Sequence, residues 1–276
     1  MNLDVNKQVF EIWEKYRKFY IEDPPGEYDY KGKSLLLKKD ERKDPLKDLI
    51  PITYNKNEYK KSKKSKRWLF AGFNPSFNEE HYRIKCEIEK PYDFFSYEKL
   101  DENKEKAQKV DYSLRKENKG FEKNYYKTYF EHVEKFIDWI VKENKDDLHH
   151  VHIDPFFIRG TSQKEAQSVL GIGNLTNVKK EFDQLINKFA KDQLDLFEKM
   201  IESYQPTAII ILNASASHLL SRKWGNNDYN TTFKAKIKKL DSIPVFCGGM
   251  LFGAGTLDKY SKQRFAKEIR DKLITR

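Results

Sequence analysis

The sequence predicts an α/β protein: a four-stranded parallel sheet between two layers of helices, three layers in all, in one domain over residues 1–276. Three observations predict it. Four short runs are apolar, β-branched or aromatic without alternation, the pattern of strands buried on both faces. Each run stops at turn-forming or small polar residues. Between the runs lie long segments with apolar residues every three or four positions, the period of helices that cover a sheet.

Taken in order, the chain opens with a helical segment at about Val5 to Tyr20. The first strand is Trp68-Leu69-Phe70-Ala71, ended by Gly72-Phe73-Asn74-Pro75-Ser76. Asn124 to Asn144 carries Tyr129, Val133, Phe136, Ile137 and Ile140 at helical spacing. The second strand, Val151-His152-Ile153, runs into Asp154-Pro155. Lys179 to Tyr204 reads as one helix through Phe182, Leu185, Phe189, Leu194, Phe197 and Ile201. The third strand, Ala208 to Leu212, stops at Asn213-Ala214-Ser215, and the fourth, Ile243 to Phe246, at Cys247-Gly248-Gly249. A last helix spans Asp258 to Leu273, with Thr256 as its expected N-cap. Two lysine-rich stretches, about 30–66 and 96–123, have few apolar anchors and read as surface insertions in that domain. No internal repeat and no Gly/Ser linker marks a second domain.

With 53 basic and 43 acidic residues the formal charge is +10, which favours a polyanion such as nucleic acid. Solvated lysine faces are the plain alternative, including for the run Lys60 to Arg67, which otherwise tracks a DNA backbone. The cysteines, Cys86 and Cys247, lie far apart with no metal-ligand spacing and read as reduced thiols of a cytoplasmic protein. The first residues show no secretory signal, and no apolar run reaches membrane-spanning length. The chain is read as a monomer without metal or other cofactor.

In a doubly wound sheet the ligand crevice lies beyond the carboxyl ends of the strands, so the strand tips are where chemistry is expected. They carry no Ser/His/Asp arrangement, P-loop or dinucleotide fingerprint. His149, His150 and His152 cluster on the second strand, with alternation sending His150 and His152 to one face. No carboxylate or cysteine stands beside them in sequence, so partly buried strand histidines are favoured over metal ligands.

G-F-N-P-S after a buried strand resembles the first motif of the uracil-DNA glycosylase superfamily, which in its mismatch-specific and single-strand-selective branches reads G-[I/M]-N-P-G. Gly72, Asn74 and Pro75 match, and Ser76 takes the last glycine's place. Further similarities follow in the family's order. H-V-H-I-D-P-F-F-I-R-G-T-S-Q is similar to the segment whose asparagine reads the base edge, with Asp154 at that position. P-T-A-I-I-I-L-N-A-S-A is similar to the core strand, and V-F-C-G-G-M-L takes the place of the closing motif, whose leucine wedges into the DNA stack. The resemblance runs from about Arg67 to Leu273.

It implies a monofunctional DNA glycosylase acting on a base flipped into a pocket. Asn74 would hold the attacking water, since an amide positions water by hydrogen bonds and is no strong base. Capping the next helix, or an Asx-turn, is its structural alternative. Asp154 is a carboxylate where the family has an amide. As an acceptor it suits an exocyclic amino group, which points to a base other than plain uracil. Activating the water, or capping a helix, are its other roles. Gly72, Phe73, Pro75, Ser76, Phe77, Phe156 and Cys247 would line the base, with Phe94 and Phe95 as further stacking candidates. Cys247 replaces the family's His or Asn, and a thiol is a weak donor to a departing base. Arg159, Gln163, Gly248, Gly249, Met250, Leu251, Ser261, Lys262 and Arg264 would contact DNA, with Leu251 as the wedge. For Gly248 and Gly249 an ordinary β–α turn is the alternative to close approach of a phosphate. No lysine stands at a strand tip to form a Schiff base, hence the monofunctional reading. The alternative is a catalytically weakened member of the same fold that binds DNA or a nucleotide.

Overall fold

The computed structural model describes residues 3–21, 49–75, 77–116, 125–141, 145–160, 163–172, 182–226, 230–251 and 256–273. Its helices there are α1 (Val5–Ile21), α2 (Lys56–Tyr59), α3 (Glu79–Lys85), α4 (Pro91–Phe94), α5 (Leu100–Lys116), α6 (Tyr125–Ile140), α7 (Gln163–Val169), α8 (Lys188–Tyr204), α9 (Ala214–Lys223) and α10 (Lys259–Leu273). Its strands are β1 (Lys66–Ala71), β2 (Leu148–His152), β3 (Ala208–Ile211), β4 (Thr232–Ile237) and β5 (Leu240–Cys247). The chain forms two compact units. The first comprises Met1–Lys56, Phe73–Tyr112 and Asp154–Met200, and the second comprises Asn57–Gly72, Ser113–Ile153 and Ile201–Arg276.

The second unit holds the sheet, a mixed one of five strands in the order β2-β1-β3-β5-β4. β2, β1, β3 and β5 are parallel and correspond to the four expected strands. The expected count of four is corrected to five by β4, which pairs antiparallel with β5. Its segment T-F-K-A-K-I alternates exposed lysines, Lys234 and Lys236, with buried Ala235 and Ile237, as befits an edge strand with one face in water. The turn into β5 passes through Lys238 at φ 53°, a left-handed conformation.

One face of the sheet carries Trp68, Phe70, Ala208, Ile210 and Phe246. It is covered by Val133, Phe136, Ile137 and Ile140 of α6 and Phe265, Ala266 and Ile269 of α10. Phe136 and Phe265 stack at 5.6 Å between ring centres. On the other face Leu69, Ile209, Ile211 and Val245 are fully buried. There the Tyr204 hydroxyl at the end of α8 donates to the His149 carbonyl at 2.9 Å, and Ser221 of α9 meets the Cys247 sulfur at 3.5 Å. Burial pushes the Tyr204 phenol well above its ordinary pKa. Helices on both faces of a mostly parallel sheet are compatible with a three-layer arrangement.

The first unit has no strand among its described residues, apart from one isolated bridge between Leu49 and Ser96. α1 packs on α8 through Tyr16 and Phe189, rings 4.8 Å apart, and Lys15 and Tyr16 both bond Asp192. A second cluster gathers Phe77, Tyr82, Tyr92 and Phe95. The stretch 96–123, expected as a surface insertion, contains α5, which buries Asn103, Ala107 and Asp111. Of the stretch 30–66, residues 30–48 lie outside the described residues. Ile50, Ile52, Tyr54 and Tyr59 are buried and belong to the folded body. α8 starts later than expected, at Lys188, because the Asn187 side chain accepts from Ala190 N at 2.9 Å and caps it there.

Candidate functional site

Parallel pairing of β1 and β2 continues one residue past the strands, with Ile153 N donating to Phe70 O at 3.0 Å. The loops that follow, residues 73–75 with 77–78 and residues 154–160, both belong to the first unit and are joined by three backbone hydrogen bonds. Phe156 N donates to Phe73 O at 3.3 Å, Gly160 N to Pro75 O at 3.1 Å and Phe77 N to Gly160 O at 2.6 Å. The buried rings of Phe73 and Phe156, one from each loop, pack at 5.1 Å and belong to the core. Asn74 and Asp154 are half-exposed on these paired loops, while Pro75 and Phe77 are buried. Ser76 lies outside the described residues.

Two alternatives for these residues fall away. α3 starts at Glu79, well beyond Asn74, and α7 at Gln163, well beyond Asp154, so neither is a helix N-cap. The Asn74 amide donates its NH₂ to the Pro75 carbonyl at 3.0 Å. With one NH₂ hydrogen so engaged, the side-chain carbonyl and the second NH₂ hydrogen remain as its capacity for further hydrogen bonds.

Other sequence-nominated residues are engaged in packing. Arg159 is buried at 1 % exposure. Its Nη2 donates to both Asp111 oxygens at 2.9 and 2.8 Å, its Nε to Ile50 O at 2.9 Å and its Nη1 to the Tyr82 hydroxyl at 3.3 Å. The guanidinium also stands 4.1 Å from the centre of the Phe95 ring. In place of the surface cation expected from the resemblance, Arg159 is the centre of a buried ion-pair network. Phe95 is fully buried, and Phe77 packs against it and Tyr82, which leaves these rings in the core. Gln163, half-buried, opens α7.

The tip of β5 lies in the second unit. Cys247 N donates to Thr231 O at 2.7 Å, and Gly248 N donates to Ile211 O at 2.8 Å. Burial pushes the Cys247 thiol up from its ordinary pKa, with hydrogen bonds from Ser221 and Ser217 acting the other way. A Cβ at Gly248 would stand 2.5 Å from Phe265 Cε1, and one at Gly249 3.0 Å from Leu257. Close approach by α10 and its lead-in therefore explains both glycines. Leu251 is 1 % exposed within the cluster under α6 and α10, a core side chain in place of the expected wedge. The carbonyl of half-buried Met250 accepts from Leu257 N at 2.9 Å and from the Thr256 hydroxyl at 2.8 Å. Thr256 is thus engaged away from the helix, and the cap of α10 is Asp258, which accepts from Ser261 N at 2.9 Å and from its hydroxyl. The Ser261 hydroxyl holds the Asp258 carboxyl below its ordinary pKa. Arg264 donates to Ser261 Oγ at 3.2 Å, and Lys262 is half-buried beside α6.

The lysine run stands elsewhere. Lys60 to Ser65 lead into the amino end of β1, the opposite end of that strand from Gly72, which is buried. Arg67 is committed to carbonyls, donating to Gln205 O at 2.7 Å and Lys64 O at 2.8 Å. The histidines divide as alternation requires. His149 meets the Tyr204 hydroxyl, while His150 and His152 face α6. Sequence reading missed a partner there, since Glu134 lies 2.8 Å from His150 Nε2. Among the described residues no group of three His, Cys, Asp or Glu side chains is placed to hold a metal ion. No described helix is long and apolar enough to cross a membrane.

A cleft of about 690 Å³ opens in the first unit beside Phe94, lined by Cys86, Glu102, Asn103, Lys106 and Lys109. It does not include Asn74 or Asp154. Burial, then the nearby Asp111 charge, pushes the Cys86 thiol up to about 11.

Compared with known protein families the chain matches none of their models, and a comparison with curated proteins gives no match.

Proposed function

We propose that the protein is a monofunctional DNA glycosylase with a three-layer fold of the uracil-DNA glycosylase type, working as a cytoplasmic monomer on damaged or modified bases in DNA. The observation that carries the reading is the pair of bonded loops that hold half-exposed Asn74 and Asp154 just past the carboxyl ends of the neighbouring strands β1 and β2. The order of motifs along the sequence supports it, as does the charge of +10.

In this reading the Asn74 carbonyl holds a water against the anomeric carbon of a flipped nucleotide. The glycosidic C–N bond breaks first, its electron pair leaving on the base and the sugar becoming oxocarbenium-like. The water oxygen then bonds to that carbon, and the proton it releases ends on the base. The Asp154 carboxylate accepts a hydrogen bond from an exocyclic amino group, which selects cytosine-like or adenine-like derivatives over uracil. Arg159 and Leu251, both buried, are given no DNA contact.

A second reading, a binding-only member of the same fold, is favoured by one observation. Cys247 is a half-buried thiol engaged by serines, and a thiol is a weak donor to a departing anionic base. Incubation with oligonucleotides carrying deaminated, alkylated or otherwise modified bases, followed by alkali, separates the two. The glycosylase reading requires strand scission at one class of base, abolished by Asn74→Ala. Tight binding with no scission at any base supports the second.

A further inference from the structure

Among the described residues Ile84 and Tyr260 are the large apolar side chains that stand in solvent, and Tyr260 is the more exposed, at 79 %. A lone exposed aromatic needs no explanation in itself, but the surroundings of this one are unusual. Tyr260 is the second residue of α10, and the helix's opening stretch K-Y-S-K-Q-R-F-A-K holds Lys259, Lys262, Arg264 and Lys267 with no acidic side chain. Arg264 and Lys267 follow Tyr260 by one and two helical turns on the same exposed face, opposite buried Phe265, Ala266 and Ile269.

On the flank α6 adds His132 and Lys135. His132 lies close enough to Lys262 and Lys135 that their charges, after the larger effect of burial, lower its pKa from the ordinary value, Glu131 opposing them. The platform is also rigid. Asp258 caps the helix, Phe265 stacks on Phe136, and Arg264 is tied to Ser261 Oγ.

We propose that Tyr260 is a stacking platform for an unpaired nucleobase, with Lys262, Arg264 and Lys267 taking the flanking phosphates of a single-stranded nucleic acid. The occupant follows from the chemistry of the patch. An exposed ring supplies a π face that any base can cover, and cations spaced around it suit a flexible polyanion. An intact duplex keeps its bases stacked on one another and leaves the ring without a partner. The inference rests on the nucleic-acid reading above and adds how a strand is held.

Fluorescence anisotropy with a labelled oligonucleotide of about a dozen nucleotides, single-stranded and as its duplex, tests it. Tyr260→Ala should weaken single-strand binding by about fivefold or more, leaving duplex binding unchanged, while Tyr260→Phe and Tyr260→Trp retain wild-type affinity. Arg264→Ala combined with Lys267→Ala should flatten the salt dependence of binding. Wild-type affinity in Tyr260→Ala, equal weakening on both substrates, or a wild type that binds no single strand would overturn the proposal. Base release followed in the same samples separates the two readings. A Tyr260-dependent single-strand affinity with no base released removes the glycosylase and leaves the platform. Base release with Tyr260→Ala binding like wild type does the reverse.

Discussion

Replacing Arg159 by alanine should destabilise the protein severely while leaving its surface chemistry intact. The side chain is fully buried against Asp111, at 0 % and 1 % side-chain exposure, and two charge-assisted bonds of 2.9 and 2.8 Å join them. Hydrogen bonds to charged groups contribute about 1.5–3 kcal/mol each. Their loss strands the Asp111 carboxylate in the interior, with the Thr53 amide and hydroxyl, both at 3.0 Å, retained. Breaking one side of a buried pair costs about 3–5 kcal/mol, which for a chain of this size lowers Tm by about 10 °C. Arg159→Lys keeps the charge but not the planar fork, so its loss should fall between the two. Thermal unfolding followed by tryptophan fluorescence, with DNA binding measured on the folded fraction, decides the matter. A wild-type Tm combined with weakened DNA binding would mean instead that the guanidinium faces outward as a backbone contact.

Three further residues carry expected outcomes. Gly248→Ala places a Cβ 2.5 Å from the Phe265 ring and should lower stability by about 1–3 kcal/mol in urea unfolding; an unchanged midpoint would mean that the loop is free for a ligand. Cys86, with its pKa raised from 9.0 to about 11, should react with iodoacetamide at pH 8 roughly a hundredfold more slowly than an unperturbed thiol. Because the folded state holds that proton more tightly, the thiol's stabilising contribution is complete below pH 9 and lost as pH rises towards 11, a loss that Cys86→Ser should remove from the pH–stability curve. Lys238→Gly relieves a φ of 53° in the β4–β5 turn and should stabilise by about 1 kcal/mol, read as a raised urea midpoint.

The parallel strands were legible because burial on both faces leaves an uninterrupted apolar run, as in Ala208 to Leu212. β4 was not, since an edge strand exposing Lys234 and Lys236 has the composition of a solvated loop. α5 escaped for a related reason: it buries Asn103 and Asp111, polar residues that carry no hydrophobic period. At the candidate site, the strand-end position of Asn74 and Asp154 could be read directly. Whether a nominated side chain faces solvent could not, because Arg159 is held inward by an Asp111 that lies 48 residues away in sequence. The same holds for Leu251 and for Gly248, whose surroundings come from α6 and α10. Tyr260 is the converse case, an aromatic, on a helix that covers the sheet, which the fold turns to solvent.

The proposed excision of a base by Asn74 and Asp154 stands or falls on a kinetic measurement. Single-turnover base release is followed on an oligonucleotide panel for the wild type, Asn74→Ala and Asp154→Asn. The wild type should release an amino-bearing modified base, with a loss of about a hundredfold or more in Asn74→Ala. Asp154→Asn should shift release towards uracil. Wild-type release by Asn74→Ala, or no release from any base by the wild type, would contradict the proposal.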